Sequence, residues 1–301
     1  GTHCEKLLLQ FQAHPKQQAK AKKEVFLISG YLLFLAGLSL YLMLIPSNTQ
    51  EPNFTLETLF LNVVGTVVIF SPIFYIWWRS SEEVTLNPMV KQDIKPKSVL
   101  SIIALAIILP AALLPIEILV DHILTFLPDA IQTNAQSINE QSNAIYIVQQ
   151  MDHSALEIIS LYIALAAMPA IIEEFVFRGI LQHRMHVGGL KPIWAIGLSS
   201  LIFCIMHLQL VNLLPMMILS SILGWLYYHG QSLHYSVLFH ALNNAFSITI
   251  LIGFGGDPSA DEPGVWFWVV SLGAIFTAAM LLKSLHKTLP SKGISHANNT
   301  Q

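Results

Sequence analysis

Eight stretches of about 20 predominantly apolar residues run through this 301-residue chain, near 25–46, 57–78, 98–120, 155–181, 192–210, 211–228, 233–253 and 265–282. As helices rising 1.5 Å per residue, most are long enough to cross roughly 30 Å of hydrocarbon. Hydrophobic residues make up 54% of the chain and charged residues only 11%, against roughly 25% charged in soluble domains. A chain of this kind cannot cover its apolar surface with polar side chains. It is expected to fold as an all-α polytopic transmembrane bundle of about eight helices.

The few basic residues are unevenly placed. Lys6, Lys16, Lys20, Lys22 and Lys23 precede the first span, and Arg79, Lys91, Lys95 and Lys97 lie between the second and third. Arg184 and Lys191 separate the fourth from the fifth, and Lys283, Lys287 and Lys292 follow the eighth. The alternate connections carry no Lys or Arg. By the positive-inside rule both termini are expected to be cytoplasmic. The first apolar run, about 22 residues, exceeds the core of a cleaved secretory signal and reads as helix 1, a signal anchor. Residues 12–24 read as a solvated basic flank, with a helix lying on anionic lipid as the alternative. Cys4 and Cys204 fall in different environments, one cytoplasmic and one within the membrane, so no disulfide framework is expected.

This divides the chain into a cytoplasmic basic arm (1–24), three transmembrane helices with an exterior loop (25–153), a core of helices 4–7 (154–253), and a last helix with its tail (254–301). Pro110 and Pro115 should kink helix 3. The connection 128–153, rich in Asn, Gln and Ser, is long for a helix link and reads as a solvated exterior loop, with a lid as the alternative. The acidic, turn-rich 255–264 shows no site chemistry. No internal repeat, no phosphate-cradling glycine pattern and no nucleic-acid-binding feature is visible.

Against this apolar background the run Glu173-Glu174-Phe175-Val176-Phe177-Arg178 stands out, followed in later spans by His207, His240 and Asn244. An ionisable side chain in hydrocarbon costs several kcal/mol and is retained mainly where it pairs or does chemistry. Glu174 and Arg178 are four apart with the acid N-terminal, the favourable order for an ion pair on one helix face. Glu173, rotated about 100° away, has no such partner in its own helix and is left available for chemistry. The turn Gly188-Gly189-Leu190-Lys191-Pro192 should close a hairpin. Glu173 and His207, each 17 residues from Leu190, then lie at one depth. Phe203 with His207, and His240 with Asn244, are i,i+4 pairs on single faces. His240 lies roughly 10 Å nearer its own turn, a mismatch removed if helices 4 and 5 extend beyond the bilayer.

These residues form E-E-x-x-x-R, F-x-x-x-H and H-x-x-x-N in order. In that order they resemble the CAAX-protease and bacteriocin-processing (CPBP, Abi) family of intramembrane endopeptidases, over about 155–250. The resemblance implies that Glu173 activates water with His207 helping to hold it, and that His240 and Asn244 donate hydrogen bonds to the oxyanion. Glu174, Arg178 and Phe203 would support them. The implied partner is a membrane-associated or lipidated protein or peptide substrate, in a bacterial inner membrane or the endoplasmic reticulum. A metal-free glutamate mechanism is expected, without a cofactor. H-E-x-x-H is absent, so the usual zincin arrangement is missing; the alternative is catalytic zinc held by Glu173, His207 and His240, which could supply its three ligands.

Blander readings stand beside these. A single histidine in a span is usually a packing residue, and Asn244 alone would be interhelical glue, as Asn243 is expected to be. His183, His186, His229 and His234 read as interfacial rather than metal-binding, and Cys204 as a packing residue. Transporters also place Glu, His and Arg between helices, so a non-enzymatic transporter or scaffold remains the second functional class.

Overall fold

The computed structural model describes residues 15–44, 56–80, 95–129, 132–133, 154–209, 212–254 and 264–289. Among them there is no strand. Eight helices account for nearly all of it: α1 (Pro15–Leu44), α2 (Leu56–Ser80), α3 (Pro96–Leu124), α4 (Ala155–Val187), α5 (Pro192–His207), α6 (Leu213–Gly230), α7 (Leu233–Phe254) and α8 (Val265–Thr288). Six of these (α1, α2, α3, α4, α7 and α8) are long and apolar enough to cross a membrane, while α5 is shorter. The protein is an integral multi-pass membrane protein. The basic arm before Pro15, Cys4, and nearly all of the exterior connections 128–153 and 255–264 lie outside the described residues.

Helix α1 begins ten residues before the apolar run expected from residue 25. Its buried positions, Ala21, Glu24, Ile28, Leu32 and Ala36, recur at spacings of three and four, so the lysine-rich first turns belong to the packed helix. The polar end of this stripe is closed by Arg184, fully buried, which donates from Nε to Glu24 and from Nη2 to the Ser80 hydroxyl. One guanidinium thus ties α1, α2 and α4 together.

Helix α4 starts with a reciprocal capping box. Glu157 N donates to Ser154 Oγ at 3.3 Å, and Ser154 N donates to Glu157 Oε2 at 3.1 Å. It ends in a Schellman turn, where Leu190 N reaches Met185 O (3.0 Å) and Gly189 N reaches His186 O (2.9 Å). Gly189 takes the left-handed conformation this requires (φ 100°). Pro192 then opens α5. Within α4 two segments, Tyr162–Ala167 and Phe175–Gln182, are wound as π-helix.

Two apolar clusters flank the interior. One joins α1, α2, α4 and α5 around Ile28, Ile73, Phe177, Ile180 and Phe203; the other joins α3, α6, α7 and α8 around Leu105, Leu223, Phe239 and Leu285. Helices α4, α5, α6 and α7 therefore meet between two greasy flanks, and Glu173, Glu174, Arg178, His207 and His240 converge there.

Candidate active site

The polar centre is built where α4 passes α6 and α7. Small residues let α6 come close: Ser220 and Gly224, four apart, face Arg178 and Gln182, also four apart. Arg178 Nη2 donates to both the hydroxyl (2.7 Å) and the carbonyl (3.0 Å) of Ser220. Gln182 Nε2 donates to Gly224 O at 3.0 Å. A Cβ on residue 224 would stand 2.7 Å from Gln182 Oε1 and 3.1 Å from Ile196, so any larger residue must displace the Gln182 amide from its bond to Gly224 O.

Arg178 and Glu174 form the expected ion pair, Nη1 to Oε1 at 2.6 Å, with both side chains wholly buried. The guanidinium also lies over the Phe203 ring, 4.9 Å from its centroid. Glu174 does more than neutralise Arg178. The same Oε1 accepts from His240 Nδ1 at 2.9 Å. A link across 66 residues leaves no mark in the local pattern, and Ser220 belongs to none of the three motifs; sequence reasoning missed both.

Glu173 projects from the adjacent face and retains 16% side-chain exposure. Its Oε2 lies 3.9 Å from His207 Nε2 and 3.9 Å from His240 Nε2. The hairpin register brings Glu173 and His207 together as the 17-residue spacing requires, and His240 reaches the same carboxylate from α7. His207 Nδ1 is 2.8 Å from Phe203 O; a carbonyl only accepts, so this nitrogen carries the proton. His240 Nδ1 likewise donates to the Arg-paired carboxylate. With both Nδ1 atoms committed, both Nε2 atoms are presented to Glu173, and the ring of Phe203, 4.3 Å from His207 and 6.1 Å from His240, holds them from behind.

Asn244, one turn beyond His240 on α7, donates from Nδ2 to Leu165 O at 3.3 Å rather than to these side chains. Asn243 has a buried Oδ1 that takes no hydrogen bond among the described residues. The four histidines expected to be interfacial stay apart from Glu173: His183 bonds Tyr227, His186 bonds Leu190 O, His234 bonds Ser232, and His229 stacks near Trp225. Cys204 is buried and makes no disulfide among the described residues.

The donor set Glu173 Oε2, His207 Nε2 and His240 Nε2 has the chemistry of a zinc site. Ligands bound tetrahedrally at about 2.1 Å would lie about 3.4 Å apart, closer than the 3.9 Å found for either imidazole. Among the described residues no group of three His, Cys, Asp or Glu is arranged to hold a metal ion.

Residues 155–246, spanning α4 to α7, match the family model described as type II CAAX prenyl endopeptidase Rce1-like. The match begins at the first residue of α4 and ends six residues after His240, so every candidate residue falls within the matched segment. No curated protein and no solved structure matches the chain. Helices α1, α2, α3 and α8 flank the matched segment without contributing a candidate site residue.

Proposed function

We propose that this protein is an intramembrane endopeptidase that hydrolyses a peptide bond of a membrane-associated or lipidated protein or peptide, using a glutamate-activated water. The observation that carries the reading is the partly exposed Glu173 carboxylate, faced at 3.9 Å by the Nε2 atoms of two histidines whose Nδ1 protons are already committed. A water bonded to Glu173 Oε2 at about 2.8 Å lies within reach of His207 Nε2, which orients it.

In the first step Glu173 takes a proton from this water as its oxygen bonds to the carbonyl carbon. The carbonyl π electrons move to oxygen, and the oxyanion accepts hydrogen bonds from Asn244 Nδ2 and from protonated His240 Nε2, with Glu174 as the counter-charge on Nδ1. In the second step the oxyanion electrons re-form the C=O bond as the C–N bond breaks with its electron pair on nitrogen, and the proton held by Glu173 passes to the departing amine. Donors placed on a developing oxyanion in a water-poor site are each worth about 3 kcal/mol. The reading requires no cofactor. Zinc on Glu173, His207 and His240 is the competing mechanism.

The test is cleavage of a membrane-anchored peptide library by purified wild type, Glu173→Gln and His240→Ala, with and without chelator. Loss in both variants with chelator-resistant wild-type cleavage is the expected result. Chelator-sensitive cleavage restored by zinc would replace the glutamate mechanism with a metal one. Absence of cleavage by folded wild type would move the protein to the transporter or scaffold class.

A further inference from the structure

Pro169 sits inside a membrane-spanning helix, four residues before Glu173. Having no N–H, it donates to neither Ala164 O nor Leu165 O, the carbonyls five and four residues before it, where the preceding Met168 N reaches back five residues to Ile163 O. The turn ahead of it, Tyr162–Ala167, is π-helical, a local widening that recurs at functional sites. A backbone carbonyl deprived of its helical donor in an apolar surrounding needs another. Here that donor comes from a different helix: Asn244 Nδ2 reaches Leu165 O at 3.3 Å.

We infer that Pro169 is a positioning residue for Asn244: by withholding its N–H it leaves the Leu165 carbonyl to the Asn244 amide, which fixes how that amide is turned. The inference rests on the oxyanion role proposed for Asn244. An asparagine amide carries two N–H hydrogens on one planar nitrogen. Committing one to Leu165 O sets the plane of the group and so the direction of the other. His240, one turn away on the same helix, is held by Glu174. Both proposed oxyanion donors are therefore anchored to α4, His240 through a side chain and Asn244 through a carbonyl that a proline has left open. Preorganisation of this kind is what makes such donors effective.

The decisive variant is Pro169→Ala, because restoring an N–H within a helix does not weaken the fold. Three readouts are taken on the full-length protein: melting temperature, kcat and KM for a membrane-anchored peptide, and the 15N–1H resonances of the Asn244 side-chain amide. The expected result is an unchanged or higher melting temperature, a kcat about tenfold to a hundredfold lower, KM within about twofold, and displaced Asn244 amide resonances. Asn244→Ala should lower kcat as much or more, and the double variant should match Asn244→Ala alone, since both changes act on one donor. Full kcat in Pro169→Ala, or losses that multiply in the double variant, would overturn the inference. If wild type does not cleave, or Asn244→Ala cleaves at the wild-type kcat, the proteolytic reading fails. The amide resonances then decide the positioning alone: displaced, Pro169 still sets Asn244; unmoved, it does not.

Discussion

Replacing Glu174 with Gln tests whether the centre of the bundle is held by a desolvated charge pair or by ordinary interhelical polar contacts. Glu174 Oε1 accepts from Arg178 at 2.6 Å and from His240 at 2.9 Å, and neither Glu174 nor Arg178 is exposed at all. An i,i+4 pair in water is worth about 0.3–0.5 kcal/mol, and neutral polar contacts between transmembrane helices average about 0.6 kcal/mol. Removing one partner of a buried pair costs about 3–5 kcal/mol, because the other charge is left in a medium that cannot solvate it. Glutamine keeps an acceptor oxygen, which places the expected loss near the lower bound, about 3 kcal/mol. At about 2–4 °C per kcal/mol for a domain of this size class, thermal unfolding in detergent should fall by about 6–12 °C. Arg178→Met should cost a similar amount. The Glu174→Gln/Arg178→Met double variant should recover most of the loss while cleavage stays abolished, since the buried carboxylate and guanidinium are removed together but His240 has lost its carboxylate partner. A single-variant change below about 1 °C, or a double variant that loses the sum of the two, would refute the argument from burial.

Gly224→Ala should lower the melting temperature and weaken the α4–α6 contact, because the added methyl meets Gln182 Oε1 at 2.7 Å; a melting temperature equal to wild type would show that Gln182 swings aside without cost. Glu24→Gln strands Arg184 in the same way as Glu174→Gln strands Arg178, but far from Glu173. It should reduce thermal stability by about 3 kcal/mol while kcat at permissive temperature stays within about twofold. Gly189→Ala places a side chain at φ 100° and should cost about 1 kcal/mol, read as an earlier thermal transition with unaltered cleavage.

Much of this architecture is legible along the chain because hydrocarbon is a strict solvent. It demands long apolar helices, so the spans near 57–78, 98–120 and 233–253 return as α2, α3 and α7 with ends moved by only a few residues. The same solvent makes every retained charge conspicuous, which is why Glu173, Glu174, Arg178, His207 and His240 can be singled out and why the Glu174–Arg178 pair follows from helical spacing alone. Equal distances from Leu190 place Glu173 opposite His207 for the same geometric reason. Where α1 begins was less legible: its lysines resemble a solvated flank until Glu24 and Arg184 are seen to pair across 160 residues.

What only the tertiary structure decided are the contacts between helices distant in sequence, and the departures from ideal winding that make them possible. Nothing local says that one oxygen of Glu174 serves both Arg178 and His240, or that Ser220 carries the far side of the guanidinium. Periodicity assumes 3.6 residues per turn, so it cannot register the π segments of α4, which change the faces on which later residues emerge. Pro169 is visible in the sequence as a missing donor, but the identity of the group that takes its place is not. A helix can state locally that a carbonyl is left over; which side chain arrives to satisfy it depends on how α7 packs against α4.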